Sequence, residues 1–346
     1  MDTFAKKPLI GLTLEQLKEV AAEIGAKPFA ARQMAAWLYQ RKATEIDQMT
    51  DLSKAARERL AGSYIIGRIP PTKEARSSDE TAKYLFSYGE KVVESVYIPD
   101  RERATLCVSS QAGCRMNCTF CMTGRGGFNG NLTSAEIINQ VLSIPESDSL
   151  TNIVFMGMGE PTDNVDAVLS AIDILTSQWG MAWSPRRITV SSIGNISGLR
   201  EFIEKTQVHI ALSVHSPFPS EREALMPVER AFPLRKVVEF LRKYDFAHQR
   251  RLSVEYIMWR GFNDDFRHAD ALARLLKGTS ARVNLIRFHA IPGVSREPST
   301  TATMEAFRDR LNSLGFTATI RASRGEDIEA ACGMLAGKHN NIEILN

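Results

Sequence analysis

Apolar residues in the first sixty positions recur at helical spacing. Leu14, Leu17 and Val20-Ala21 follow Thr13, which with Gln16 three residues on makes a helix start of the capping-box type. Phe29 through Met34 and Trp37-Leu38 repeat the pattern after Pro28, and a third run spans Leu52–Leu60 ahead of Gly62. The period then shortens. Tyr64-Ile-Ile, Lys83-Tyr-Leu-Phe and Val92 through Ile98 predict short strands separated by Gly, Pro and charged turns. From about residue 103 strands and helices alternate. Strands are predicted over 104–109, 152–157, 186–191, 208–214, 252–258, 282–288 and 316–321. Helices are predicted near 134–144, 164–177, 196–205, 233–244, 264–277 and 302–314, the first opened by the capping box Thr133-Ser-Ala-Glu136. Repeated βα units imply a parallel sheet, open or closed, with functional loops at the C-terminal ends of its strands. The expected fold class is α/β in three parts: an N-terminal helical accessory domain over 1–63, a β-rich connector over 64–98 and a catalytic domain over 99–346.

Composition narrows the class. The chain of 346 residues is 44% hydrophobic and 24% charged, which supplies a sizeable core. No apolar run reaches the roughly 18 residues of a membrane span. The start, Met1-Asp-Thr-Phe-Ala-Lys-Lys-Pro, lacks the basic-then-apolar order of a secretory signal, so a cytoplasmic protein without membrane attachment is expected. The net charge of +3 resides in residues 1–70, where eleven Lys/Arg face eight Asp/Glu. A modestly basic N-terminal part suits a phosphate-bearing partner, although a solvated helical surface is the plainer reading.

The cysteines carry more chemistry. There are five, at 107, 114, 118, 121 and 332, an odd number that fits a reducing compartment and reactive or metal-binding thiols. Cys114-Arg-Met-Asn-Cys118-Thr-Phe-Cys121 has the spacing C-x-x-x-C-x-x-C. Three thiolates suit either a three-cysteine zinc site with a fourth ligand elsewhere or an iron–sulfur cluster with one iron left open. One compact loop after a strand and before a helix, with no second Cys/His knuckle, favours the cluster.

This loop, with an aromatic before its last cysteine, resembles the radical S-adenosylmethionine (SAM) superfamily. Thr105-Leu-Cys-Val-Ser-Ser-Gln-Ala-Gly-Cys114, Gly127-Phe-Asn-Gly-Asn-Leu132, Phe155-Met-Gly-Met-Gly-Glu-Pro161 and Ala330-Ala-Cys-Gly333 resemble, more closely, the RlmN family of adenine carbon-2 methyltransferases that modify 23S rRNA and tRNA. The resemblance runs from about residue 90 to 336, and the N-terminal helical unit is also similar. It implies a partial (β/α)6-type barrel whose Cys114, Cys118 and Cys121 hold a 4Fe–4S cluster, with SAM on the fourth iron. An adenine ring carbon between two nitrogens is no nucleophile, and a radical route avoids that obstacle.

The same resemblance assigns the remaining roles. Cys332, which between alanines reads on its own as a small core residue, becomes a methyl-carrying nucleophile loaded by one SAM and activated by a second. Cys107, otherwise a buried strand cysteine, becomes the resolving thiol. A disulfide between the two requires Cα atoms within roughly 4.4–6.8 Å. Glu94, on its own an outward-facing strand carboxylate, becomes the general base for the carbon-2 proton. Gly159, Glu160, Ser191, Ser213, Val214, His215 and His289 fall at SAM-contact positions. His289 stands where relatives carry Asn, and Gly130 replaces a basic residue. The partners implied are 23S rRNA, tRNA and an electron donor such as a flavodoxin, and a monomer is expected. Two other readings stand beside this one, a Cfr-type carbon-8 methyltransferase and a non-catalytic iron–sulfur RNA-binding protein. His209, His248, His268 and His339 show no ligand spacing and are read as structural.

Overall fold

The structure, a computed structural model, describes residues 6–248 and 250–336. His339 lies outside the described residues. Strand β1 (Lys7–Pro8) pairs in parallel with β2 (Tyr64–Ile65), and helices α1 (Leu14–Glu23), α2 (Ala30–Ala35) and α3 (Lys54–Ser63) lie between them. Thr13 caps α1 with the expected reciprocal pair to Gln16. Helix α2 runs on into a π-turn over Ala36–Gln40, which buries Leu38 and Tyr39.

Strands β3 (Lys73–Arg76), β4 (Ala82–Tyr88), β5 (Lys91–Asp100) and β6 (Arg103–Cys107) form an antiparallel meander. Next come β7 (Gln111–Gly113), α4 (Met122–Arg125) and β8 (Phe128–Asn131), where β7 and β8 pair as an antiparallel hairpin. The rest alternates: α5 (Ser134–Leu142), β9 (Asn152–Phe155), α6 (Val165–Thr176), β10 (Ile188–Ser192), α7 (Ile196–Lys205), β11 (His209–Ser213), α8 (Pro219–Leu225), α9 (Leu234–Leu241), β12 (Leu252–Met258), α10 (Phe266–Leu276), β13 (Arg282–Arg287), α11 (Thr301–Ser313) and β14 (Thr317–Ile320).

Ten strands make one sheet in the order β14-β13-β12-β11-β10-β9-β6-β5-β4-β3. The seven from β6 to β14 are parallel, so six strand–helix units and a final strand form an open, partial barrel. The meander extends this same sheet rather than standing apart from it. Its outermost strand, Lys73-Glu-Ala-Arg76, alternates half-buried and exposed positions, and its charged edge discourages further pairing. The larger of two apolar clusters among the described residues runs from Leu17, Met34 and Leu60 through Ile137 and Phe155 to Val190, Leu212, Val254, Val283 and Phe307, and a smaller one gathers around Phe120 and Trp259. The helical unit and the barrel therefore share one interior. No helix among the described residues is long and apolar enough to cross a membrane.

Candidate active site

The three clustered cysteines lie in the loop of the β7–β8 hairpin. The Cys114 amide donates to the Gly127 carbonyl at 2.8 Å, closing the base of the loop, and the Cys121 amide donates to the Cys118 carbonyl at 3.2 Å. Asn117 takes a left-handed φ of 51°, which turns the chain between Cys114 and Cys118. Phe120 packs edge-on to His215 with ring centres 4.9 Å apart and tilts against Trp259 at 5.4 Å, fixing the loop to the barrel mouth.

Cys114, Cys118, Cys121, Gly159, Glu160, Ser191, Ser213, His215 and Cys332 line one cavity of about 160 Å³ at the C-terminal ends of the parallel strands. Most of the predicted residues thus come together where such a sheet places its functional loops. Gly159 is required by shape: at φ +98° a Cβ there would meet the Gln111 side chain at 2.5 Å. The Gln111 amide oxygen then accepts from the Glu160 amide at 2.9 Å. Burial raises the Glu160 carboxyl to about 7, against hydrogen bonds from Thr162 and the Ile193 amide that lower it.

Four predicted residues do not line this cavity: Cys107, a buried residue at the end of β6, and Val214, His289 and Glu94. Val214 is a core residue whose amide donates to the Glu255 carbonyl at 3.0 Å, and its side chain packs into the apolar core rather than lining the cavity. His289 lines a neighbouring cavity of about 240 Å³. Its Nδ1 lies 3.4 Å from Glu326 without a hydrogen bond. Glu94 is buried on β5 beside Lys83, and its Oε2 accepts from the Ala336 amide at 2.8 Å.

Cys332 also lines the second cavity, together with Asp100, Arg103, Arg287, His289, Arg321 and Arg324. It therefore stands between a thiol-rich chamber and an arginine-rich one. Burial pushes the Cys107 thiol up to about 12, the nearby Cys332 adds to the rise, and Arg321 opposes it. The two thiols and the Arg321 guanidinium thus lie within electrostatic reach of one another, with both thiols free. Sequence reasoning missed Arg321 and Glu255, which also line the thiol-rich cavity. No pattern marked them, because a lone charged residue within a strand, like Glu255, or just after one, like Arg321, reads as solvent-facing. A larger cavity of about 680 Å³, between the helical unit and α5, contains none of the predicted residues.

The donor set fits an iron–sulfur cluster. Burial, then the charges of Cys121 and Cys114, raise the Cys118 thiol, so three thiolates in one pocket call for positive charge among them. Among the described residues no three His, Cys, Asp or Glu groups close on a single metal ion. All three thiols line the one chamber.

Comparison with known proteins agrees with this geometry. Residues 7–66 match the ribosomal RNA large subunit methyltransferase N-terminal domain, and residues 108–273 match the radical SAM superfamily. A relative from Parabacteroides distasonis, called "probable dual-specificity RNA methyltransferase RlmN", is 58% identical over 97% of this chain and 98% of its own. The chain belongs to the RlmN family of radical SAM RNA methyltransferases. A second RlmN relative, from Halorhodospira halophila, is 42% identical over 95% of this chain and 93% of its own. A solved radical SAM methyltransferase from Sphaerobacter thermophilus superimposes with a TM-score of 0.89 at 36% identity, covering 96% of this chain and all of that one. The RlmN family match spans both the helical unit and the barrel. It supports an enzyme, and the α/β barrel expected from the strand–helix alternation is present.

Proposed function

We propose that this RNA methyltransferase acts on carbon 2 of an adenosine in 23S rRNA and in tRNA, consumes two SAM per turnover, and passes the new carbon through Cys332. The observation that carries the reading is the seat of Cys332 between the two chambers, with Cys107 close by. Cys114, Cys118 and Cys121 are the residues that would hold the cluster, and when bound it supplies the low-potential electron that cleaves SAM reductively. Gly159, Glu160, Ser191, Ser213 and His215 line the chamber in which SAM would lie beside it.

Cys332 takes the methyl of one SAM by displacement: a carbon–sulfur bond forms at its Sγ as the sulfonium bond breaks. A hydrogen is then removed from that S-methyl group, and the carbon adds to the adenine. Glu94 is the proposed acceptor for the carbon-2 proton, and it can serve only once its contact with the Ala336 amide is exchanged for substrate. Once the adduct has given up its carbon-2 proton and its unpaired electron, which the bound cluster would take back, Cys107 attacks the Cys332 sulfur: a sulfur–sulfur bond forms as the bond from Cys332 Sγ to the new carbon breaks, and that carbon keeps the electron pair and takes up a proton to become the methyl group. Arg103, Arg287, Arg321 and Arg324 give the second chamber the positive lining that an extruded nucleotide and its phosphates need. The helical unit adds contacts to folded RNA, recognised by shape and phosphate.

The test is incubation of the cluster-loaded protein with reductant, trideuteromethyl-SAM and unmodified rRNA, followed by nucleoside mass analysis. 2-Methyladenosine retaining two donor deuteriums is expected, and Cys332→Ser should abolish it. Three retained deuteriums would remove the carrier role from Cys332, and 8-methyladenosine would move the chain to the Cfr-type activity.

A further inference from the structure

We infer that Lys83 is a positioning residue for Cys332, forming with Glu94 a buried clasp on both sides of the segment that carries the thiol. This rests on the carrier role proposed for Cys332, and its test reads out separately from that role. Lys83 on β4 and Glu94 on β5 have side chains only 5% and 4% exposed, with Nζ and Oε1 3.5 Å apart. The ammonium also donates to the Glu329 carbonyl at 3.3 Å, and the other carboxylate oxygen accepts from the Ala336 amide at 2.8 Å. One ion pair therefore grips the chain three residues before Cys332 and four residues after it.

The segment needs such a grip. After β14 the chain has no further helix or strand among the described residues, so its backbone groups must find partners outside regular structure. Upstream, Asp79 accepts from the Gly325 amide at 3.1 Å, and Asp327 accepts from the Ser77 hydroxyl at 2.5 Å and the Ser78 amide at 3.2 Å. On the opposite side the Met122 amide donates to the Gly333 carbonyl at 2.8 Å and the Thr123 hydroxyl to the Leu335 carbonyl at 2.7 Å. The strap thus bridges the meander and the cysteine loop, with Cys332 between the two sets of contacts. Sheet packing alone does not call for a buried ion pair at this place. An apolar pair would fill the same space without a desolvation cost. What the charges add is a pair of hydrogen-bonding ends at fixed positions, which apolar side chains lack.

The experiment compares cluster-loaded, full-length wild type with Lys83→Met and with Lys83→Met/Glu94→Gln, the latter leaving no lone buried charge. Amide hydrogen exchange over 329–336 should quicken about tenfold or more in both variants, the factor expected when a charge-assisted hydrogen bond is removed. Exchange in β12 and β13 should stay at the wild-type rate. Without RNA, methyl capture by Cys332 at saturating SAM, followed by peptide mass, should slow about tenfold at an unchanged half-saturating SAM concentration. Wild-type exchange of the strap in a folded variant overturns the inference, as does quickening that spreads equally into β12 and β13. If the single variant does not fold, the double variant decides. If neither folds, the pair serves the fold rather than the strap, and the inference falls. A wild-type Cys332 that takes up no methyl would remove the carrier role while leaving the exchange result to stand.

Discussion

His215 shows how one side chain can tie the chemistry of the site to the pH response of the fold. Its Nδ1 accepts from the Ile257 amide at 3.1 Å, and its carbonyl accepts from Asn263 at 2.7 Å, while its backbone takes a left-handed φ of 59°. The ring supports Phe120, which lies between Cys118 and Cys121. An accepting Nδ1 requires the neutral ring, and burial, with a smaller contribution from Arg222, lowers its pKa to about 3. The folded value lies below the unfolded one near 6.5, so between these limits the unfolded chain binds a proton that the folded chain does not. The stabilisation is complete above about pH 6.5 and is lost as pH falls from there towards 3. At pH 5 the His215 contribution should be about 2 kcal/mol smaller than at pH 7. Urea unfolding at the two pH values measures this, and His215→Gln should remove that much of the difference. An equal pH difference in wild type and variant would show that the ring does not carry it.

Among the elements, the helical unit and α5 meet in a close joint. Gly11 has a φ of +82°, and a Cβ placed there would lie 2.2 Å from both the Cα and the amide nitrogen of Ala135. The Ser134 hydroxyl donates to the Gly11 carbonyl at 2.8 Å, and Tyr39 donates to Leu12 at 2.6 Å. Gly11→Ala should therefore cost roughly 2 kcal/mol or more, combining left-handed strain with overpacking. It should also expose residues 67–72 to limited proteolysis while the barrel stays folded, and an unchanged cleavage pattern and unfolding midpoint would refute this. The elements on either side of this joint were readable in the sequence. Thr13 with Gln16 and Thr133 with Glu136 form capping boxes as expected, and each parallel strand falls where an apolar run predicts it. The β7–β8 hairpin was not readable, because Gln-Ala-Gly and Phe-Asn-Gly-Asn are short and rich in residues that strands disfavour. Nor was β3, whose charged residues read as turn. The grouping of Cys114, Cys118 and Cys121 in one loop was legible from local spacing. Lys83 and Arg321 were not, since their burial depends on partners far along the chain: Lys83 meets the Glu329 carbonyl 246 residues away.

For the molecule as a whole, the proposed function would divide the labour of the two chambers on either side of Cys332 between small molecule and polymer. The thiol-rich chamber is lined by the cysteine loop and the C-terminal ends of the barrel strands, whereas the arginine-rich one is lined by the segment after β14, by the end of β13 and by Arg103 at the start of β6. The whole chain is nearly neutral, so RNA affinity must come from local charge rather than from a general field. Arg103 and Arg324 line this chamber and not the thiol-rich one. Arg324 is shared with Asp100 at 3.5 Å, which leaves Arg103 the freer of the two for a phosphate. Replacing both by Gln should weaken RNA binding across sequences and lower the slope of log affinity against log salt by about 0.7 for each phosphate no longer neutralised. SAM-dependent methylation of Cys332 without RNA should proceed at the wild-type rate, because neither arginine lines the thiol-rich chamber. Filter binding over a salt series measures the first effect and peptide mass the second. An unchanged salt slope would place the RNA elsewhere on the surface. A loss of both functions together would mean that the two chambers act as one site.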